Sequence, residues 1–289
     1  MHKYLRAIGF HDIKKEELQN ILYMVAQSPD YQEMTLDSEG GQFTELRKDV
    51  AYNMGLALRG TYDENDEFVM DYYFPYFNGN TISTDVPVEV IRQSDRESYQ
   101  GLCDDVRLGI DLIFYLQDVF TILKSDQRDK SMVDFGGVKL SGLASEGKIL
   151  LPMKNSKKEN AEREKVNQER NELISAAREG DSKALEKLTL EDMDTYSQIQ
   201  KRLEKEDVLT IVNTYFMPSG IECDKYSILG DIVGYKNYVN KMTMELVHVL
   251  EISCNHISFN VVINSKDLLG EPEVGRRFKG NIWMQGRIT

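Results

Sequence analysis

A chain of 289 residues with 41% hydrophobic side chains, among them one Trp, 15 Tyr and 11 Phe, carries enough apolar material for real cores without a metal or disulfide staple. Its formal charge of -13, from 35 Lys and Arg against 48 Asp and Glu, repels phosphate backbones and anionic membranes, which argues against a nucleic-acid partner. Cys103, Cys223 and Cys254 form no CxxC pair, so neither zinc nor thiol redox chemistry is indicated, and no apolar run approaches the roughly 20 residues of a membrane helix.

In chain order, residues 1–35 are read as an N-terminal helical segment. The opening "MHKYLRAIGFHDIKKEEL" lacks an apolar run of signal-peptide length, and the expectation is a cytoplasmic protein with reduced, mostly buried thiols. Residues 36–153 read as a first β module. "GLALRGTYDENDEFVMDYYFPYF" predicts a hairpin, because two runs of β-formers flank Asp63-Glu64-Asn65-Asp66, whose short acidic and amide side chains suit a turn. "LGIDLIFYL" has the length of a buried strand, and Phe135 to Leu151 offers two short strands around the turn-like "SEGK".

Residues 154–206 change character. Between Pro152 and Asp207 there is no proline and only Gly180, and strong helix formers dominate. Lys154 to Asp207 holds 12 Lys and Arg against 14 Asp and Glu, so nearly all of the net charge lies outside this segment. Gly180 followed by Asp181 and Ser182 reads as a helix stop and a new N-cap, and Thr189 with Asp192 resembles a capping box opening a third helix. A second β module then covers residues 207–289, with strands in "VLTIVNTYFM", "YSILGDIVGYKNYV", "MELVHVLEIS", "HISFNVVI" and "FKGNIWMQG", and a tight turn at Asn255-His256.

The two β regions align with one another. "RLGIDLIFYLQDVF" (107–120) set against "HISFNVVINSKDLL" (256–269) pairs Ile110 with Phe259, Leu112 with Val261, Phe114 with Ile263 and Asp118 with Asp267, without a gap. "FGGVKLSG" from Phe135 likewise faces "FKGNIWMQG" from Phe278. The fold class expected is therefore α+β: two duplicated β-rich modules, each an OB-like barrel or curled antiparallel sheet, separated by a helical insert. Residues 40–152 and 207–289 would superpose, with Asp118 and Asp267 equivalent.

Candidate chemistry is sparse. His248 shares a strand face with Met244, Leu246, Leu250 and Ile252, which fits a hydrogen-bonded core histidine, and His2, His11 and His256 lack metal-binding spacing. Asp104 and Asp105 point to opposite faces of a strand, Asp63 to Glu67 lacks the glycine and distal Glu of an EF-hand, and Cys223 has no identified histidine base. In "DLLGEPEVGRRFKGNIWMQGRIT", Phe278, Gly280, Ile282 and Met284 fall on one strand face, whereas Lys279, Asn281, Trp283 and Gln285 fall on the other. Trp283 then points away from its own core, to be covered by the first β region, the inserted helices or a second subunit. Gly270 and Gly275 suit turns, Gly280 suits a bulge or close backbone approach, and no phosphate-cradling loop is formed.

"MHKYLRAIGF", "LIFYLQD", "EGKILLP", "EDVLTIVNTYFMPSGIECDKYSILGDI" and "DLLGEPEVGRRFKGNIWMQG" together resemble an uncharacterised family of proteins, a domain of unknown function from anaerobic Gram-positive bacteria, over nearly the whole chain. The resemblance implies a bacterial cytoplasmic origin and carries over no catalytic residue. The function expected is a binding or protein-interaction protein without catalytic activity, using Trp283, Arg276, Arg277 and Lys279, with no cofactor and no metal, and with a protein partner or self-association. The alternatives are an enzyme acting on a small substrate in a cleft between the modules, and an OB-like nucleic-acid binder.

Overall fold

The computed structural model describes residues 1–93, 97–105, 107–108, 110–126, 137–152, 157–191, 208–220 and 223–289. Lys3–Ile8 is a 3-10 helix closed by Gly9 at φ +94, and α1 follows at Lys15–Gln27. Glu16 and Glu17 sit in the first turn of α1, where carboxylates favour the helix dipole, and the Glu17 side chain accepts the Lys14 amide at 2.9 Å.

Four strands then form an antiparallel meander: β1 (Tyr31–Leu36), β2 (Gln42–Ala51), β3 (Met54–Tyr62) and β4 (Phe68–Phe77). The β3–β4 turn is the expected one: the Asp63 carboxylate accepts the amides of Asn65 and Glu67, both at 2.8 Å. Alternation gives this sheet two unlike faces. Leu46, Val50, Leu56 and Leu58 pack in one apolar cluster with Leu18, Leu22 and Val25 of α1. The cross-strand partners Glu45 and Arg59, then Arg59 and Tyr72, place charges and aromatics on the opposite face.

The second sheet has ten strands. β5 (Glu89–Arg92), β6 (Tyr99–Cys103) and β7 (Leu112–Leu116) lead to α2 (Val119–Asp126) and the long β8 (Val138–Leu150). After α3 (Lys157–Arg178), α4 (182–191) and α5 (Val208–Ile211) come β9 (Tyr215–Pro218), β10 (Lys225–Val239), β11 (Leu246–Cys254), β12 (Ile257–Asn264), β13 (Leu268–Leu269) and β14 (Arg277–Ile288). β8, β12, β11, β10 and β14 close into a five-stranded barrel, with β8 antiparallel to β14 and parallel to β12. The molecule is thus α+β, with one closed barrel and one curled sheet.

β8 differs from expectation. "SEGK" makes no turn, because β14 pairs with β8 from Val138 to Leu150 and a bulge absorbs one extra residue near Ser145. "VLTIVNTYFM" likewise splits into α5 and the short β9. The Asn255-His256 turn is present, with φ of 48 and 65. In the insert, Asp181 caps α4 by accepting the Lys183 amide at 2.9 Å, as expected. Thr189 opens no new helix; it lies inside α4, its hydroxyl donating to the Leu185 carbonyl at 2.8 Å, and Asp192 lies outside the described residues.

One strand pattern occurs twice: a three-stranded meander, a helical turn, then a long strand. It runs β5-β6-β7-α2-β8 and again β10-β11-β12, the turn Ser265–Asp267, then β14. β7 lies parallel to β14, while β12 lies parallel to β8, so the third strand of each unit flanks the fourth strand of the other. Strands β2 to β4, within the residues 40–152 expected to be copied, have no counterpart among the described residues after 207. The barrel interior is filled by Phe278, Ile282 and Met284 with Phe259, Val261 and Ile263. A second core lies between the curled sheet and the barrel, where Leu143, Val262 and Trp283 meet Phe74 and the N-terminal Tyr4. Among the described residues no helix is long and apolar enough to cross a membrane.

Candidate functional site

The four residues singled out near the C-terminus do not converge. Trp283 is 5% exposed, as its strand face required. Its cover is the N-terminal segment and β7: the rings of His2, Tyr4 and Tyr115 lie 4.7, 5.7 and 5.1 Å from it. Its indole N–H donates to Asp224 at 2.8 Å, and burial raises the pKa of that carboxyl while the indole bond opposes the shift. Arg277 is buried and donates to the carbonyls of Leu151 (3.1 Å) and Val212 (3.2 Å), clamping the two flanks of the helical insert to the barrel. Arg276 pairs with Glu273 at 2.7 Å on the surface. Lys279 stands across from Lys148 and lines a shallow pocket of about 230 Å³ with Glu146, Ser227 and Asn281. Gly280 fits the close approach foreseen for it, since a Cβ there would lie 2.7 Å from the Glu146 carbonyl oxygen and 2.5 Å from the Phe278 ring.

The other candidates are structural in their contacts. His248 Nδ1 bonds the Tyr235 hydroxyl at 3.0 Å, and burial lowers the histidine pKa. The three cysteines are unpaired; burial pushes Cys103 up to about 11 and Cys254 up to about 12. Among the described residues no group of three or more His, Cys, Asp and Glu side chains is placed to hold a metal ion.

The convergence lies elsewhere, and it begins with "TELRKDV" in β2. Period-two alternation sends Glu45, Arg47 and Asp49 to the face that looks toward β7 and β14. Burying charges there is costly unless each is paired and hydrogen-bonded. Glu45, with its side chain 1% exposed, accepts from Arg59 Nε at 2.6 Å and from Arg47 Nε at 2.5 Å. Arg59 is completely buried: it also donates to the hydroxyls of Tyr72 (3.0 Å) and Tyr115 (3.1 Å) and to the Gln117 carbonyl (2.8 Å), with its guanidinium 4.8 Å from the Phe74 ring. Every edge of that fork is used.

Arg47 is different. Its guanidinium lies 5.3 Å from the Tyr76 ring and its Nε is fixed by Glu45, yet its terminal nitrogens carry no hydrogen bond to a described residue. Across the space stands Arg287 at the end of β14, held through Nε by Asp118 Oδ1 at 3.0 Å, again with both terminal nitrogens unbonded to any described residue. Asp118, just before α2, also accepts the Ile288 amide at 3.0 Å. Burial raises its pKa, opposed by Arg287 and then by Arg47, so both cations act on the same carboxylate.

Between these groups is a cleft of about 460 Å³. Gln117 and Asn78 are on its wall, and the side-chain carbonyl oxygen of each lacks a partner among the described residues. Gln117 is 1% exposed, and its orientation is fixed because Nε2 donates to the Phe77 carbonyl (3.2 Å) and to Gln285 Oε1 (2.7 Å). A buried acceptor left unpaired is unusual enough to need a reason. The carboxylates on the wall are compensated: Glu33 by Lys124 and the Tyr31 hydroxyl, Asp49 by the Tyr76 hydroxyl, Asp30 by Lys48. The Tyr76 pKa is raised by its burial and by Asp49. Sequence reasoning missed this site, although alternating charges within a strand of β-formers were the available signal.

Fold and site define a β-rich α+β protein in which a curled sheet and a barrel sheet enclose a charged cleft. The chain belongs to the family described as "Domain of unknown function, E. rectale Gene description (DUF3881)", which matches residues 5–286 and is named for an anaerobic Gram-positive bacterium. No curated protein and no solved structure matches the chain.

Proposed function

We propose that this protein is a non-catalytic binding protein of the bacterial cytoplasm that holds a small polar molecule in the cleft between β2, β4, α2 and the end of β14. The observation that carries the reading is the pair Arg47 and Arg287, each fixed along one edge by a buried carboxylate and each with its terminal N–H groups bonded to no described residue on the wall of a cavity of ligand size. The cytoplasmic assignment is supported by three unpaired cysteines. We further read the two meander-turn-strand units as copies. At the position in the second unit that corresponds to Asp118, Asp267 is filled by Arg6 of the N-terminal 3-10 helix, at 2.8 and 2.5 Å, and the first unit keeps its site open.

Thermal unfolding in the presence of a panel of small carboxylates, phosphates and amino acids tests the proposal. At least one compound should raise the Tm of the protein and fail to do so for Arg287→Ala, a change at a side chain that is 38% exposed. Binding that survives both Arg287→Ala and Arg47→Gln would overturn it. A catalytic reading has one observation in its favour, the raised carboxyl of Asp118 in the cleft. Chemical conversion of a bound compound, abolished by Asp118→Asn, would select that reading instead.

A further inference from the structure

Resting on the cleft as the binding site, we infer that its ligand is a small zwitterion of the amino-acid class, carrying a carboxylate and an ammonium group close together. The walls present both signs of charge. The guanidinium ends of Arg47 and Arg287, bonded to no described residue, suit a carboxylate, which a planar fork can bind through two parallel N–H bonds. Opposite needs are set by the acceptors. Gln117 Oε1 has no donor among the described residues, and its amide cannot be reversed without placing an oxygen against the Phe77 carbonyl and against Gln285 Oε1. A ligand N–H or O–H placed in the cleft would satisfy it in place of water.

Charge selects the ammonium over a hydroxyl. Asp30, Glu33, Glu45, Asp49 and Asp118 line the cleft beside only two arginines, and the compensating Arg59, Lys48 and Lys124 are not on its wall. Although each of these carboxylates has a partner, the wall itself carries five of them against two arginines, so a purely anionic ligand adds to an excess of negative charge there, while a purely cationic one meets two guanidinium ends that no described residue bonds. A zwitterion answers both, and its near-zero net charge matches a site whose fixed charges cancel once the second ring of cations is included.

The test compares each standard amino acid, and glycylglycine, with its deaminated acid by calorimetric titration against the full chain, for example L-aspartate against succinate and L-alanine against propionate. At least one amino acid should bind, and its deaminated partner should bind about tenfold or more weakly, because the Gln117 acceptor is left unpaired. In Gln117→Met that ratio should collapse toward one, and Arg287→Ala should weaken both members of the pair. Deaminated acids that bind as well as the amino acids, with the same dependence on Arg287, would overturn the zwitterion and leave the cleft assignment standing. Failure of every compound to bind would overturn both.

Discussion

Replacing Arg59 by Met tests whether the charge layer between the two sheets is as tightly coupled as its geometry indicates. The change keeps much of the volume but removes four hydrogen bonds: to Glu45, Tyr72, Tyr115 and the Gln117 carbonyl. Glu45, with its side chain 1% exposed, would keep only the Arg47 Nε bond. Breaking a buried pair by removing one partner costs about 3–5 kcal/mol, and an orphaned buried carbonyl adds about 1 kcal/mol or more. Against a total stability on the order of 5–15 kcal/mol, that leaves the variant near the edge of folding. Urea unfolding is the assay, followed by the fluorescence of Trp283, the only tryptophan of the chain and 5% exposed when folded. The double variant Glu45→Gln with Arg59→Met should be more stable than Arg59→Met alone, since no bare carboxylate remains and Arg47 can turn toward the cleft. A loss under about 1 kcal/mol for Arg59→Met, the value of an exposed ion pair, would refute the reasoning; so would a double variant that loses the sum of the two single effects.

Two further outcomes are expected. Trp283→Ala should lose about 3–5 kcal/mol with no change of elution volume in size-exclusion chromatography, because the indole is covered by His2, Tyr4 and Tyr115 of the same chain; a change of assembly state would contradict that packing. Burial, with Lys225 adding to it, lowers the pKa of His2 from 6.5 to about 4. The unfolded chain therefore takes up this proton first as pH falls, so stability should drop between about 6.5 and about 4; His2→Gln should flatten that part of the pH profile, and an unchanged slope would exclude His2 as its source.

Much of the local structure was legible in the sequence. Alternation in β14 assigned Phe278, Ile282 and Met284 to the barrel interior and Trp283 to the other face, and the side-chain period of a strand is enough to do so. The Asp63 turn, the Asn255-His256 turn and the Asp181 cap were readable because each is set by residues within five positions of one another. Composition alone marked the helices after residue 157. These are short-range effects, fixed before the chain meets itself.

What only the tertiary structure decided is which strands become neighbours. An apolar strand such as β8 offers the same ladder of N–H and C=O groups to any partner, so nothing local says that it crosses the insert to close the barrel between β12 and β14. The same limit hid the cleft. Arg47 and Arg287 read as ordinary surface charges until the fold brings β2 and the end of β14 to one cleft, and Gln117 carries no local signal until its amide is locked between Phe77 and Gln285. Pairing and burial across such distances are set by the global fold that closes those loops, and charge becomes chemistry here only where burial removes the water that would otherwise screen it.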